Sequence, residues 1–442
     1  MNDATIRDRR QPLELSLKID AVSHEGLGEA QHNERPYLVR NALPGETVQA
    51  RLLRKRKGKR YCDALEVLED RAAARTESQC DAFPRCGGCA LHHVSYPEQL
   101  AMKELWLKTE LARQEISPDS WIAPVSRGQY AYRRKARLGV KKLGDQILVG
   151  FRESFSNRVA RLASCPILTK ELSALLDPLK HLVAGLSIPD RIPQIEVAQG
   201  DVWEGYVQTV LILRHLEELS ERDQALLLEF AQTHHIVWLT QAAGYDSLKP
   251  LEGTGPELCY RLPELDLTMT FEAQQFTQVN HDINNVLIST VLEGLGDVGE
   301  TTILDLFCGI GNFSLALAKA GARVLGYELD PTAIERAKYN ADINGLRAET
   351  SFAVANLFTE SVEIEDAQTI VLDPPRSGAG PMLLNWLSGQ ITSIAYISCT
   401  PVTFAADAAT LKENGFALSQ VGIFDMFPNT AHVETVGIFN RG

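Results

Sequence analysis

The chain has 442 residues, 45% hydrophobic and 23% charged, with a formal net charge of −13. Such proportions are ordinary for a globular protein of roughly two to four domains. No apolar run approaches the roughly 20 residues of a membrane helix, and the polar start Met1–Gln11 carries no signal-peptide pattern. A cytoplasmic location without membrane contact is expected, and the acidic total by itself argues against nucleic acid.

Residues 12–70 read as all-β. Leu13 to Ile19 alternates apolar and polar side chains, the period of a half-exposed strand. Gly26, Gly28, Pro36, Pro44 and Gly45 punctuate short runs such as Tyr37-Leu38-Val39, a spacing that predicts a small barrel. An oligonucleotide-binding type fits, and such barrels hold single strands through a basic groove. Arg51–Arg60 contains seven cations and no acid. A local patch of this kind suits phosphate whatever the total charge, or else is a solvated loop.

Residues 71–265 form a mixed α+β middle region. Cys80, Cys86 and Cys89 have C-x5-C-x2-C spacing, and Cys165 before Pro166 is a distant fourth. Disulfides are not expected in a reducing compartment. Four thiolates suit zinc or an iron–sulfur cluster, and spacing alone does not choose between them. Cys62 and Cys259 have no visible role. Helices are predicted at Pro97–Gln114, on Leu100, Leu105, Leu107 and Leu111, and at Leu168–Leu186 with a break or kink at Pro178. Tyr132–Arg137 is a second cationic run, and Val210–Leu213 and Ile236–Leu239 are strand-like. There is no internal repeat.

From about 266 strands and helices alternate, which predicts a doubly wound, Rossmann-like parallel sheet. The expected strands are Thr302–Phe307, Ala322–Glu328, Ser351–Ala355, Thr369–Asp373 and Ile394–Cys399. The expected helices are Asn312–Ala320, Pro331–Ile343 with Gly345 as its cap, Pro381–Leu387 and Val402–Asn414. Phe416–Phe424 and Glu434–Phe439 close the sheet as an antiparallel pair.

Open α/β sheets bind ligands at the carboxyl edge of their strands, where several motifs fall. Asp305-Leu306-Phe307-Cys308-Gly309-Ile310-Gly311-Asn312-Phe313 lacks the third glycine of a dinucleotide fingerprint and the Gly-Lys-Ser/Thr of a P-loop. With Glu328 ending the next strand, placed to accept from ribose hydroxyls, it resembles the S-adenosylmethionine loop of Rossmann-like methyltransferases. Cys308 reads as a packing residue. Asp373-Pro374-Pro375-Arg376 is a stiff turn that can aim Asp373 at a cofactor or base. Enzymes that methylate exocyclic amines usually place an aromatic after the two prolines, so Arg376 favours carbon as the acceptor. Gln278 precedes the sheet and can reach over the cofactor.

Cys399 ends the next apolar strand, and Glu434 begins the last one. Uracil C5 is a poor nucleophile. A thiolate added at C6 makes an enolate whose C5 attacks a sulfonium methyl, and a base must then take the C5 proton. Cys399 supplies the thiol and Glu434 the candidate base. His432 reads equally well as base, orienting group or solvent-facing side chain.

On Phe276-Thr277-Gln278-Val279-Asn280, Asp305–Phe313, Asp373–Arg376, Ser398-Cys399 and Phe427-Pro428 through Glu434, the C-terminal third resembles the RNA uracil-5-methyltransferase family. The resemblance implies Cys399 as nucleophile and Glu434 as base. It implies Gln278, Phe307, Asn312, Glu328, Asn356 and Asp373 as contacts of S-adenosylmethionine. The cysteine spacing is similar to the [4Fe–4S] site of a family member that acts on bacterial 23S ribosomal RNA, which implies Cys80, Cys86, Cys89 and Cys165 as its ligands. The N-terminal barrel is similar to that member's TRAM domain. Two positions depart from the family pattern: Thr400 stands where Asn or Asp is usual, and Asn429 where His is frequent.

The expected organisation is a barrel at 1–70, a central cysteine-bearing domain at 71–265 and a methyltransferase domain at 266–442. The expected activity is C5 methylation of a flipped-out uridine in 23S ribosomal RNA. The alternatives are C5 methylation of another RNA (transfer RNA or a different 23S site) and a non-catalytic RNA-binding metalloprotein. No obligate protein partner is evident.

Overall fold

The computed structural model describes residues 13–442 apart from 204, 205, 254, 256, 363, 365 and 388, so Met1–Gln11 lies outside the described residues. Three large sheets organise the chain. The first has six strands: Glu14–Lys18, Ala21–Val22, Gly28–His32, Arg35–Arg40, Thr47–Arg56 and Lys59–Glu69. It curls on itself, since the Asp20 N–H beyond the first strand donates to the Glu29 carbonyl at 2.8 Å. Leu17, Val39, Val48, Ala50 and Cys62 fill its interior, so Cys62 is a packing residue.

The first cationic run is divided by its own hairpin. Lys57 and Gly58 form a two-residue turn with φ of 45° and 77°, the left-handed pair that matches strand twist. Arg51 is paired with Glu14 at 2.8 Å. Arg54 lies over Tyr61 (5.0 Å) and over Phe155 of the middle region (4.3 Å), a cation–π contact that ties the two parts together. Lys55, Arg56, Lys57 and Lys59 remain exposed at the tip.

The second sheet also has six strands, in the order Leu248–Pro250, Val237–Gln241, Tyr206–Arg214, Gln194–Trp203, Lys135–Leu143, Gln146–Gly150. Its helical cover breaks at Leu175, between Lys170–Ala174 and Leu176–Gly185, three residues before the expected point. Pro178 is the third residue of the second helix, where its missing N–H has no intrahelical acceptor to lose. The second cationic run is largely neutralised. Arg134 pairs with Asp201, Arg137 with Glu196 at 3.2 Å, and Lys135 donates to the Gln275 carbonyl.

The third sheet has eight strands in the order Thr350–Val354, Arg323–Glu328, Thr302–Leu306, Thr369–Leu372, Ser393–Ser398, Glu434–Arg441, Phe416–Phe424, Ser120–Trp121. The first five are mutually parallel, and Glu434–Arg441 runs antiparallel to both its neighbours. Ile370–Leu372 and Ile394–Ile397 are fully buried, as expected of parallel strands covered on both faces. The helix Tyr96–Arg113 packs against Pro401–Glu413. It and Ser120–Trp121 fall in the stretch read as middle region, yet they belong to the packing of the C-terminal sheet. The helix presents Gln99, Lys103, Trp106, Leu107 and Leu111 inward, while Leu105 is 60% exposed. The expected Pro381–Leu387 helix is a 3-10 turn, Gly380–Met382, followed by Leu383–Trp386. Among the described residues no helix is long and apolar enough to cross a membrane.

Candidate active site

Beyond the Thr302–Leu306 strand the chain turns through Phe307 (φ 67°), Gly309 (φ 55°) and Gly311 (φ 90°). A Cβ on Gly311 would come within 2.5 Å of Leu315, whereas one on Gly309 would meet nothing within 4 Å. Gly311 is therefore required by packing and by φ, and Gly309 leaves its side of the loop open. The non-glycine left-handed residue, Phe307, is held between Phe358 and Trp386, with ring centroids 5.6 and 6.0 Å away. Glu328 binds the loop to the adjacent strand. One oxygen accepts the N–H groups of Leu329 (2.7 Å) and Asp330 (3.0 Å), the other that of Gly309 (3.3 Å). Asn312 is braced from below: its carbonyl accepts from the Tyr260 hydroxyl (2.8 Å) and the Asn284 amide (3.0 Å), and its amide donates to Asn284 (2.9 Å).

All six expected cofactor contacts and both expected reacting groups line one cavity of about 600 Å³. Gln278 and Phe276 form part of one wall, and Asn356, whose side-chain carbonyl accepts the Phe358 N–H at 3.1 Å, part of another. Burial dominates the electrostatics at the floor. Asp305 is pushed up to about 7, against the Ser314 hydroxyl that bonds one of its oxygens; the other oxygen has no partner among the described residues. Asp373 is also raised to about 7, by burial first and then by Asp305 and Glu328. Carboxyls so placed hold their protons more tightly than usual, and a cation entering the cavity would favour the ionised form.

Cys399 and Glu434 are brought together by strand register. Ser398 pairs with Thr435 across the antiparallel ladder Ser393–Ser398/Glu434–Arg441. One further step of that register sets Glu434 opposite Cys399, a cross-strand neighbour position. The Cys399 thiol is pushed up to about 11, chiefly by burial and then by Glu434, while Arg376 pulls it down. Glu434 is held well above the usual carboxylate range by burial and Asp373, again opposed by Arg376. Arg376 also lies 3.0 Å from the His432 ring nitrogen Nε2. Burial and that guanidinium drive His432 down to about 4, so the imidazole is neutral at pH 7.

A second cavity, about 820 Å³, meets the first at Arg376, Cys399 and His432. Its walls come from the N-terminal region (Gly26 in a turn, Arg40 on a strand), the middle region (Arg133, Phe155) and the cysteine loop (Phe83, Gly88). The thiol thus stands at the junction of two chambers. The two departures from the family pattern have local explanations. Thr400 caps the helix Pro401–Glu413, its hydroxyl accepting the Thr403 N–H, a capping role that Asn and Asp also fill. Asn429 is fully buried, and its carbonyl oxygen accepts the N–H groups of Ala90 and Leu91, both at 2.9 Å. Its side chain bonds Gln99 and Gln129, so it fastens the cysteine loop to the loop before Glu434.

Cys80, Cys86, Cys89 and Cys165 face one small void of about 10 Å³, walled by Phe83, Phe151, Leu162 and Ile167. Burial pushes Cys86 up to about 12 and Cys89 and Cys165 above their ordinary values, and the thiols raise one another further. They stay protonated unless a cation replaces the protons. Among the described residues no three His, Cys, Asp or Glu side chains are grouped as they would be around a single metal ion. Cys308 and Cys259 are buried packing residues.

Several residues of this site carry no legible sequence signal. Lys103 and Asp425 form an ion pair at 2.6 Å with side chains 1% and 0% exposed. The Lys103 ammonium also donates to the Phe427 carbonyl (3.1 Å), and the Tyr96 hydroxyl donates to the other Asp425 oxygen (2.8 Å). A lysine in an amphipathic helix reads as solvent-facing. Only the spacing of Tyr96, Gln99 and Lys103 at helical intervals marks one polar stripe.

The family described as tRNA (Uracil-5-)-methyltransferase matches residues 95–441. The 23S rRNA (uracil(1939)-C(5))-methyltransferase RlmD of Azoarcus sp. is 40% identical over 440 residues, covering 96% of this chain and 99% of its own. The protein of the same name from Hahella chejuensis is 37% identical over 449 residues, covering 98% and 99%. Among solved structures, Pyrococcus abyssi tRNA (uracil-54, C5)-methyltransferase in complex with S-adenosyl-L-homocysteine superposes with a TM-score of 0.73, at 24% identity, over 96% of this chain and 100% of its own. At that identity the likeness establishes the α/β methyltransferase fold.

Proposed function

This chain belongs to the tRNA (uracil-5-)-methyltransferase family, and from that premise we propose that it is a cytoplasmic enzyme that transfers the methyl group of S-adenosylmethionine to C5 of a uridine in 23S ribosomal RNA. The observation that carries the reading is the register that sets Glu434 beside Cys399 at the mouth of the glycine-loop cavity. Ribosomal RNA is favoured over transfer RNA by identity: the relatives named for 23S RNA are 37–40% identical over nearly the whole chain, against 24% for the transfer-RNA enzyme that covers the same length.

The donor supplies an electrophilic methyl and a positive charge at sulfur. The residues present fit it: Gly309 leaves room beside the loop, Glu328 offers oxygens for ribose hydroxyls, and Asp373 and Glu434 are buried carboxyls that a nearby cation would ionise. The uridine enters from the second chamber with its base flipped out. Cys399, deprotonated with help from Arg376 and from its place ahead of a helix N-terminus, adds to C6. The C5 electron pair displaces the methyl from sulfur, leaving a neutral thioether. Glu434, as carboxylate, takes the C5 proton; the C5–C6 double bond reforms and the Cys399 thiolate leaves. Two carboxyls and a thiol so close cannot all ionise without counter-charge. Arg376 gives part of it, so the site is armed only when a cationic donor is present.

The four cysteines would hold a [4Fe–4S] cluster. Four thiols on one apolar void, with no carboxylate among them, suit iron–sulfur ligation. Methyl transfer from a sulfonium needs no electron transfer, and Asn429 joins the cysteine loop to the catalytic loop, so the cluster acts as a brace. The N-terminal sheet serves as a TRAM-type barrel within 1–70, ahead of the central domain (71–265) and the methyltransferase domain (266–442).

Mapping 5-methyluridine on 23S and transfer RNA transcripts after reaction with the purified protein tests the proposal. A mark on one 23S uridine is expected. Marks confined to transfer RNA would transfer the substrate, and none on either would overturn the activity.

A further inference from the structure

A third large groove, about 1220 Å³, shares a wall with the Cys399 chamber: Phe83, Pro84, Arg152 and Glu153 line both. Arg85, Lys141, Arg152, Arg158 and Arg161 also line the groove, and all five are exposed. Lys142 there is paired with Asp190 at 3.7 Å. The other five have no carboxylate partner among the described residues; Arg152 donates only to the Asn157 carbonyl. Some exposed arginines elsewhere hold an acid, as Arg51, Arg71, Arg113, Arg191 and Arg347 do; others, such as Arg35, Arg127 and Arg222, have none among the described residues but do not line this groove. Asp81 and Glu153 also line the groove, and Asp190 is taken by Lys142, so the five unpaired cations still leave its lining net positive in a chain of net charge −13.

Chain connectivity says what would occupy it. A nucleotide seated at Cys399 remains covalently joined to its neighbours on both sides, so the strand must leave the chamber. The Phe83–Pro84 wall is an edge of that chamber, and the unpaired cations lie directly beyond it. We propose that this groove seats the phosphodiester backbone of nucleotides flanking the target uridine, so that the RNA crosses the cysteine loop and is gripped on its far side. The inference rests on the proposed RNA substrate. It adds a second phosphate-binding surface, separate from the N-terminal sheet.

The test is Arg158→Glu with Arg161→Glu, in the full chain, against a 23S transcript that the wild type methylates and against the shortest fragment of it that is still methylated. Each phosphate contact contributes about 0.7–0.9 to the slope of log affinity on log salt, so losing two should flatten the slope by about 1.4–1.8. Over a salt rise from about 50 to about 200 mM the variant should therefore lose about tenfold less affinity than the wild type, with the wild type binding more tightly at the low-salt end. The penalty should shrink as the transcript is trimmed, and Arg158→Lys with Arg161→Lys should restore both affinity and slope. Donor affinity reports folding; if the glutamate pair fails to bind donor, Arg158→Gln with Arg161→Gln reads the same slope. An unchanged slope in a donor-binding variant overturns the groove. So does an equal loss on long and shortest RNA, or selective loss of binding to anionic vesicles or acidic peptide instead of RNA. A wild type that methylates no RNA would overturn the proposed function, a separate outcome.

Discussion

Replacing Lys103 by Met is expected to destabilise the C-terminal sheet by about 3–5 kcal/mol, the cost of stranding a buried charge. The Asp425 side chain is fully buried and accepts from Lys103 at 2.6 Å. After the replacement it keeps only the Tyr96 hydroxyl at 2.8 Å, and one neutral donor does not solvate a carboxylate. Methionine occupies most of the volume of the lysine stem, so the cavity term is small and the charge term dominates. Calorimetry of the C-terminal unit should show Tm falling by roughly 6–20 °C, at about 2–4 °C per kcal/mol for a unit of that size. Removing both charges, with Lys103→Met and Asp425→Leu, should recover much of the loss, because no orphan ion remains. The Phe427 carbonyl also loses its donor, so the loop leading to Glu434 loosens and kcat should fall more than donor affinity. A Tm change below about 2 °C, or a double variant no more stable than the single one, would refute the claim that this pair anchors the loop.

Cys399→Ala should form no covalent adduct with 5-fluorouridine RNA while binding donor normally, and Glu434→Gln should accumulate an adduct with ordinary uridine RNA; gel shift under denaturing conditions reads both, and a normal turnover rate in either variant would reassign that role. Asp373 has a folded pKa of about 7 against about 3.9 unfolded, so the folded state binds the extra proton. Its contribution to stability is full below about pH 4 and is lost as pH rises through 7. Asp373→Asn should therefore flatten the donor-free stability profile between pH 5 and 7 by up to about 1.4 kcal/mol per pH unit, and parallel profiles would count against a neutral buried Asp373. Cys89→Ser should abolish brown colour and absorbance near about 400 nm in anaerobically purified protein; a colourless wild type with stoichiometric zinc would replace the cluster by zinc.

The C-terminal architecture was legible because its signals are local. Runs such as Ile394–Ile397 and Ile370–Leu372 are too apolar for anything but doubly covered strands, and Pro331–Ile343 carries its start at Asp330-Pro331 and its stop at Gly345 within one segment. Cys399 and Glu434 were legible as candidates because each ends or begins such a strand. Other features depended on partners distant in sequence. The cationic runs promised open phosphate-binding patches, but Arg51, Arg134 and Arg137 found acids 37, 67 and 59 residues away. Arg54 stacks on Phe155 from another sheet. The helix Tyr96–Arg113 buries Gln99 and Lys103 in place of Leu105, which hydrophobic spacing alone does not anticipate.

Most strands and helices of the C-terminal sheet, the residues that end its strands at the carboxyl edge, and the chemistry open to a thiol, a carboxyl and a glycine turn there are written locally in the chain. Those properties follow from side-chain period and from groups within a few residues of one another. Tertiary structure decided which charges survive unpaired, that two chambers meet at Cys399, and that Lys103 lies beneath the loop leading to Glu434. Each of these depends on which surfaces meet across hundreds of residues, and burial then sets the protonation of every group between them.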